Sequence, residues 1–497
     1  MTKNLGDIFL RSALYTWLDT LGVHPRLVGR TVWVLTLAGF CFVFAFLLSS
    51  AQWILAGMLF AIVAGVVALI IGFDRIALFW VVGIPFLFTY VNNVAAAIPS
   101  FTMGRFLFVV LIGMLTAQVF LRLRPGRKLD AVEKASLAFL TWVFLAMILR
   151  WVTKDASDWR PDGALFLTGY AMPLGAYGIA RRVRWTQARK RLVLIGSAVN
   201  GALLGVVSIA QYVFGLRIFD ATFIETQHQG EAFERAVGTF GSSWELGLVT
   251  ALCGIIGVCM LTQARSAPGR VVIAGMIGAT LVGLALCLTR APWLSFVLGL
   301  GALCLFDTAV RRFTIPFVIL GAVLGFIAAP IVMSSPEVAY RLTDISSILN
   351  RVALYVTSIN MSIQNPLFGV GLGVTSFVKE SSDYIINFGI VQGNWMLGVT
   401  VPHNEFLFIA ATSGLPALGM FIYIMWKMTQ DQLRTGLNSE TPVDIRRLSG
   451  LAVGLLVAFV FVANTLDTSF GRYASLLTFF VVGMARASHT PPPRDAV

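Results

Sequence analysis

The chain has 497 residues, 57% of them apolar and only 12% charged, with a net charge of +13. Soluble domains carry roughly a quarter charged residues. Together with a mean hydropathy of +0.82, this excludes a soluble enzyme, a disordered chain and a disulfide scaffold.

Residues 1–30 are polar or amphipathic, with Leu10, Leu14, Trp17, Leu18 and Leu21 on one helical face, and are expected to lie on the inner membrane surface. Apolar runs then recur to the end of the chain, and many approach or reach the ~18–20 residues a helix needs to cross hydrocarbon. Spans are expected at 31–50, 52–71, 76–95, 104–121, 135–150, 164–180, 191–214, 244–262, 271–288, 292–306 and 314–332, then at 404–426, 448–466 and 472–485. The fold class is therefore all-α, a polytopic transmembrane helix bundle of about 12–14 spans with a large extracytoplasmic loop. The expected divisions are an amphipathic segment at 1–30, a bundle of eleven spans at 31–333, the loop at 334–402, the last spans at 403–486 and a disordered tail at 487–497.

The loop is too long for a passive connection. In it, Leu349, Val352, Val356, Ile359 and Ile363 follow helical spacing, which predicts an amphipathic helix with its apolar side toward membrane or neighbouring helices. Arg351, Tyr355, Ser358 and Ser362 share the opposite face, and Asn365-Pro366 ends the helix. The run Gly369-Val370-Gly371-Leu372-Gly373 lacks the strand and helix that flank a phosphate-binding loop, so it reads as a flexible turn.

The basic charge has a topological explanation. With a cytoplasmic N-terminus, the inner segments hold 26 Lys and Arg against 10 Asp and Glu, and the outer segments hold 11 against 14. This bias of +16 inside and −3 outside is the one the positive-inside rule demands. It calls for no nucleic-acid partner, and it places both termini on the cytoplasmic side. The cysteines (Cys41, Cys253, Cys259, Cys287 and Cys304) all lie in apolar segments, which argues against a disulfide framework. No Cys/His spacing or Asp-x-Asp pair suits a metal, so neither metal nor other cofactor is expected.

Ion-coupled transporters keep ionisable residues near the bilayer midplane. Here the mid-span positions are almost free of charge, and the exceptions, Arg105, Glu245, Arg290 and Asp467, sit at outer ends. Of the four histidines, His24 and His489 fall inside, and His228 lies in a polar outer loop that suits a solvated residue. His403 opens a span between Pro402 and Asn404-Glu405. It reads as a first-turn residue, where a neutral imidazole can act as a general base. The position equally suits a histidine that caps a helix or sits among headgroups. Arg235, Arg290, Arg341 and Arg351 are the outer arginines that accompany it. Such arginines can snorkel to lipid phosphate, but Arg290 lies in a turn of about four residues beside Trp293 and is expected to be held close to the bundle. Its planar fork suits phosphate better than an ammonium does.

Several segments together resemble the O-antigen ligase and polymerase superfamily of bacterial membrane proteins. Arg235-Ala236-Val237-Gly238-Thr239-Phe240 is similar to an Arg-x-x-Gly-x-Phe element, and Thr289-Arg290-Ala291-Pro292-Trp293 to a Ser-Arg-x-x-Trp turn. Arg351 followed by Pro366-Leu367-Phe368-Gly369-Val370-Gly371 resembles the outer-loop element. Pro402-His403-Asn404-Glu405-Phe406-Leu407, with Gly414 and Gly419, resembles a His-Asn-x-x-Leu…Gly signature. Ser243-Trp244 stands where Pro-Asn is usual, Ser413 where an acidic residue is common, and fourteen spans exceed the usual twelve.

The resemblance implies an inverting, metal-independent transfer of a glycan from undecaprenyl diphosphate to an acceptor hydroxyl on the outer leaflet. His403 would be the catalytic base, and Arg235, Arg290 and Arg351 would hold the diphosphate. Asn404, Glu405, Tyr355 and Trp293 would support them. The implied partners are the lipid-linked glycan donor, a glycan or lipid-linked acceptor, membrane lipids and a chain-length regulator. The departures favour a polymerase of a surface or secreted polysaccharide over a ligase to lipid A core. A lipid-linked sugar transporter or flippase is the rival of another class, and it lacks the expected intramembrane charge.

Overall fold

The computed structural model describes residues 72–94, 102–120, 127–153, 159–216, 235–240, 242–316, 346–384 and 401–489. The segment 1–30, the spans at 31–50 and 52–71, most of the span at 314–332, and Cys41, His228 and Arg341 lie outside the described residues, as do 490–497 of the tail. The chain divides into two compact units. One comprises Met1–Phe73, Met114–Pro125 and Pro491–Val497, and its described residues are two helix ends, 72–73 and 114–120. The other, Asp74–Gly113 with Gly126–Thr490, carries the remaining described residues.

Every regular element among the described residues is helical. In chain order these are α1 (Phe73–Val94), α2 (Met103–Phe120), α3 (Ala131–Thr153), α4 (Trp159–Leu165), α5 (Met172–Arg182), α6 (Gln187–Phe214), α7 (Ser243–Leu261), α8 (Ala267–Leu286) and α9 (Arg290–Cys304). Then come α10 (Ser346–Gln364), α11 (Val374–Ser381), α12 (Glu405–Leu437), α13 (Val443–Ala463) and α14 (Arg472–His489). A π-helical turn, Phe166–Ala171, joins α4 to α5 as one continuous rod. Among the described residues seven helices are long and apolar enough to cross a membrane: α2, α3, α6, α7, α8, α12 and α13. The structure is a polytopic helical bundle. The short α11 was not anticipated, and α12 runs eleven residues beyond the expected span end at 426.

Helix α7 is apolar all round and buried along nearly its whole length, which makes it the central post. With lipid tails as apolar as leucine, helices gain by close backbone approach. Gly201 and Gly205 of α6, four residues apart, meet Thr280 and Ala279 of α8, while Gly299 of α9 faces Gly454 of α13. A Cβ at any of these four would lie under 3 Å from its neighbour.

The ion pairs sort by the two expected sides of the membrane. Arg181 pairs with Asp130 and Glu133, Arg182 with Glu133, Arg189 with Asp74, Arg447 with Asp307, and both Lys427 and Arg486 with Asp431. All of these residues are expected inside. Arg150–Glu380 and His403–Asp467 join residues expected outside. Each of these pairs stays at one end of the bundle.

Helix α10 forms where the spacing predicts it. It leaves Val352, Ile359 and Ile363 exposed and buries Thr357, Ser358, Met361 and Ser362. Its apolar stripe therefore faces outward and its small polar face inward, with the hydroxyls of Thr357, Ser358 and Ser362 bonded to carbonyls one turn back.

The glycine run after α10 is not a loose turn. Helix α12 breaks at Gly414, whose φ of 86° and ψ of 170° are open only to glycine. Pro416 has no N–H to offer Thr412 O, and Leu415 N–H turns away from Ala411 O, so both carbonyls are freed. Val370 N–H and Gly371 N–H take them at 2.9 and 3.0 Å, and Leu415 N–H turns out to Pro366 O at 2.8 Å. The Trp142 indole of α3 stacks on Phe368 and donates to Leu367 O and Ser413 O. Arg150 donates to Val370 O. The run is a rigid plug in a broken helix, because every freed backbone group needs a partner away from water.

Two outcomes follow from this architecture. A Cβ at Gly414 would stand 2.0 Å from Leu367 O, so Gly414→Ala should lower stability by more than about 2 kcal/mol. Thermal unfolding in detergent reads this, and an unchanged midpoint would contradict the plug. The sidedness is checked by cysteine labelling. Ser381, otherwise a natural outer probe, is buried, whereas Ser382 and Thr186 are exposed. Cysteine at 382 should react with an impermeant reagent in intact spheroplasts and cysteine at 186 only after lysis. The reverse pattern would invert the expected orientation.

Candidate active site

The site is built from the backbone at the start of α12. Asn404 is the N-cap, with its side-chain oxygen accepting from Leu407 N–H at 3.1 Å and its amide donating to Asn464 O at 3.0 Å. His403 therefore stands just before the helix rather than in its first turn. Its φ of 53° is left-handed, which histidine tolerates better than most residues but at a cost of about 1–3 kcal/mol. Asp467, between α13 and α14, holds that conformation. One carboxylate oxygen accepts His403 N–H at 3.0 Å and the other accepts Asn404 N–H at 3.1 Å. The His403 Nδ1 lies 3.4 Å from the same carboxylate. The Asp467 side chain is 3% exposed and the imidazole 38% exposed, so the carboxylate is buried and the imidazole faces out.

Glu405, the first residue of α12, points the other way. It is buried and accepts from Ser469 N–H at 2.8 Å, from the Thr468 hydroxyl at 3.4 Å and from the Tyr170 hydroxyl at 2.9 Å. The two turns thus exchange carboxylates: Asp467 caps the backbone before α12, and Glu405 caps the backbone that follows Asp467. Tyr355 of α10 reaches the same corner, with its hydroxyl 3.4 Å from Asn464 O. Arg351 lies one turn earlier on α10 and is half-buried.

The two other arginine elements are anchored separately. Gln211, at the end of α6, accepts from Val237 N–H and Gly238 N–H and donates to Gly238 O, which fixes the turn after Arg235. Ala236 N–H donates to Leu286 O, so this turn lies against the end of α8, just before Arg290. Phe240 stacks on Tyr473, whose N–H is accepted by the buried Glu245. Arg235 itself is half-buried and Arg290 exposed at the start of α9, so Arg290 is not folded into the bundle as its short turn suggests. Trp293 anchors that turn by donating its indole N–H to Leu284 O at 2.6 Å.

Histidine, Asn404, Glu405, Tyr355 and Asp467 are thereby gathered around the turn between α13 and α14, and the Arg235 and Arg290 turns around the end of α8. Asp467 and Tyr170 are the residues that sequence reasoning leaves without a role. Asp467 is signalled by its place among the few charges at outer span ends; Tyr170, inside an apolar span, carries no signal.

Residues 273–422 match the family model described as O-antigen ligase. The match runs from α8 into α12 and takes in Arg290, Trp293, Arg351, Tyr355, His403, Asn404, Glu405 and Gly414, while Tyr170, Arg235 and Asp467 lie beyond it. No curated protein matches the chain.

Proposed function

From its O-antigen ligase domain, which supports the O-antigen ligase/polymerase superfamily, we propose that this membrane protein transfers a glycan from undecaprenyl diphosphate to an acceptor sugar hydroxyl at the outer face of the bacterial inner membrane. The observation that carries the reading is the His403–Asp467 pair. A buried carboxylate beside Nδ1 selects the tautomer with the proton on that nitrogen, which leaves the Nε2 lone pair for an incoming hydroxyl.

The acceptor oxygen attacks the anomeric carbon as the bond to the diphosphate oxygen breaks. The hydroxyl proton goes to His403 Nε2, and the bonding electrons leave with the diphosphate. Attack opposite the leaving group inverts the anomeric centre. Arg235, Arg290 and Arg351 bind the diphosphate and stabilise the charge it gains, as a metal does elsewhere. Asn404 caps α12 beneath the base. Tyr355 and Trp293 steady the Arg351 and Arg290 elements. The departures at Ser243-Trp244 and Ser413 favour a polymerase, working with a chain-length regulator, over a ligase to lipid A core.

Purified His403→Ala, assayed in lipid with a lipid-linked donor and acceptor, should lose about 10²–10⁴-fold in turnover with donor binding little changed. Wild-type turnover in a correctly inserted variant would return His403 to a helix-end role. Arg290→Lys should fail nearly as badly as Arg290→Ala, since lysine keeps the charge and loses the fork. Full activity of the lysine variant would remove bidentate binding from the reading.

A further inference from the structure

The buried cluster under the site contains a tyrosine that neither the family match nor the chemistry above uses. Tyr170 lies in the π-helical turn Phe166–Ala171, more than two hundred residues before His403 in sequence. A π turn inserts one extra residue into a helix and is frequent at functional sites. Here Thr168, Gly169 and Tyr170 of the turn are all buried. Phe139 of α3 packs edge-on against the Tyr170 ring at 5.5 Å. The hydroxyl donates to Glu405 Oε1 at 2.9 Å.

The neighbouring Gly169 supplies an independent observation. A Cβ there would stand 2.7 Å from Ser469 O and 2.9 Å from Ser469 Cβ. The π turn is therefore pressed against the 3₁₀ turn Thr468–Phe470, whose first residue follows Asp467. A small cavity lined by Tyr170, Pro173, Glu405, Phe421, Thr468 and Ser469 lies between them.

We propose that Tyr170 is a positioning residue for His403, acting through Glu405 and the turn that carries Asp467. The inference rests on the proposed role of His403 as the base. The path is continuous: Tyr170 hydroxyl to Glu405, Glu405 to Ser469 N–H, two residues back to Asp467, and Asp467 to the His403 backbone and ring. Glu405 works here as a hydrogen-bond acceptor and takes up no proton from substrate. In a site of low dielectric such a chain is rigid when every member is satisfied. Loosening it moves the imidazole, and a displacement of about 1 Å is worth up to ~10²-fold in rate.

The experiment uses the full-length protein in lipid, with kcat and KM normalised to correctly folded protein. Tyr170→Phe deletes one buried hydroxyl and should lower kcat roughly three- to tenfold with KM within about twofold. Glu405→Ala should lower kcat about ten- to a hundredfold, and Glu405→Gln, which still accepts from Ser469 N–H, should recover most of it. A purely structural role would leave kcat per folded molecule unchanged in all three. Unchanged kcat in Tyr170→Phe overturns the proposal even where Glu405→Ala fails to fold. Equal loss in Glu405→Gln and Glu405→Ala also overturns it, because charge rather than positioning would then matter. His403→Ala, run alongside, separates the two readings. If His403→Ala is active the base assignment falls, and if it is inactive while Tyr170→Phe matches the parent only the positioning claim falls.

Discussion

Two buried carboxylates, each accepting backbone N–H groups from the other's turn, hold the expected outer end of this bundle together. Asp467 caps His403 and Asn404, and Glu405 caps Ser469. Away from water an unpartnered N–H costs several kcal/mol, and a buried carboxylate costs more. Each turn therefore supplies what the other requires, and neither is satisfied alone. The left-handed backbone at His403 survives because this exchange over-determines it. Tyr170, Asn464 and Tyr355 attach to the same exchange, so α4–α5, α10, α12, α13 and α14 meet at one place.

The opposite end is held by a different kind of interaction. Arg181 and Arg182 grip Asp130 and Glu133, Arg447 grips Asp307, and Arg486 and Lys427 share Asp431. Between the two ends the helices pack through apolar side chains and glycine contacts. Charge that must sit in a membrane protein is cheapest near the helix ends, where it can pair or reach water. The ion pairs at the expected inner end are fasteners, whereas at the other end the imidazole paired with Asp467 stays exposed.

The motifs that resemble a glycan-transfer family divide by what the fold does with them. The Pro366–Gly371 element and Gly414 are one structural device, a turn plugged into a broken helix. Phe240 and Trp293 anchor their turns. The His403 imidazole and Arg290 are exposed, and Arg235 and Arg351 are half-buried.

Composition and apolar run length by themselves determined the helical class and placed eleven of the described helices, because a membrane leaves a chain no other way to satisfy its backbone. The positions of Lys and Arg sorted the loops by side, and the ion pairs respect that sorting. Helical spacing found α10, and local residue types singled out His403, Asn404 and Glu405. Tertiary structure decided the rest. The glycine run reads as flexible because its partners, the carbonyls of Ala411 and Thr412, become available only when α12 breaks. The place of His403 ahead of the helix was decided by Asp467, sixty-four residues away. The part played by Tyr170 depends on a π turn that no periodicity announces. Local sequence fixes which backbone groups will lack partners, but the groups that come to meet them are chosen by the packing of distant helices.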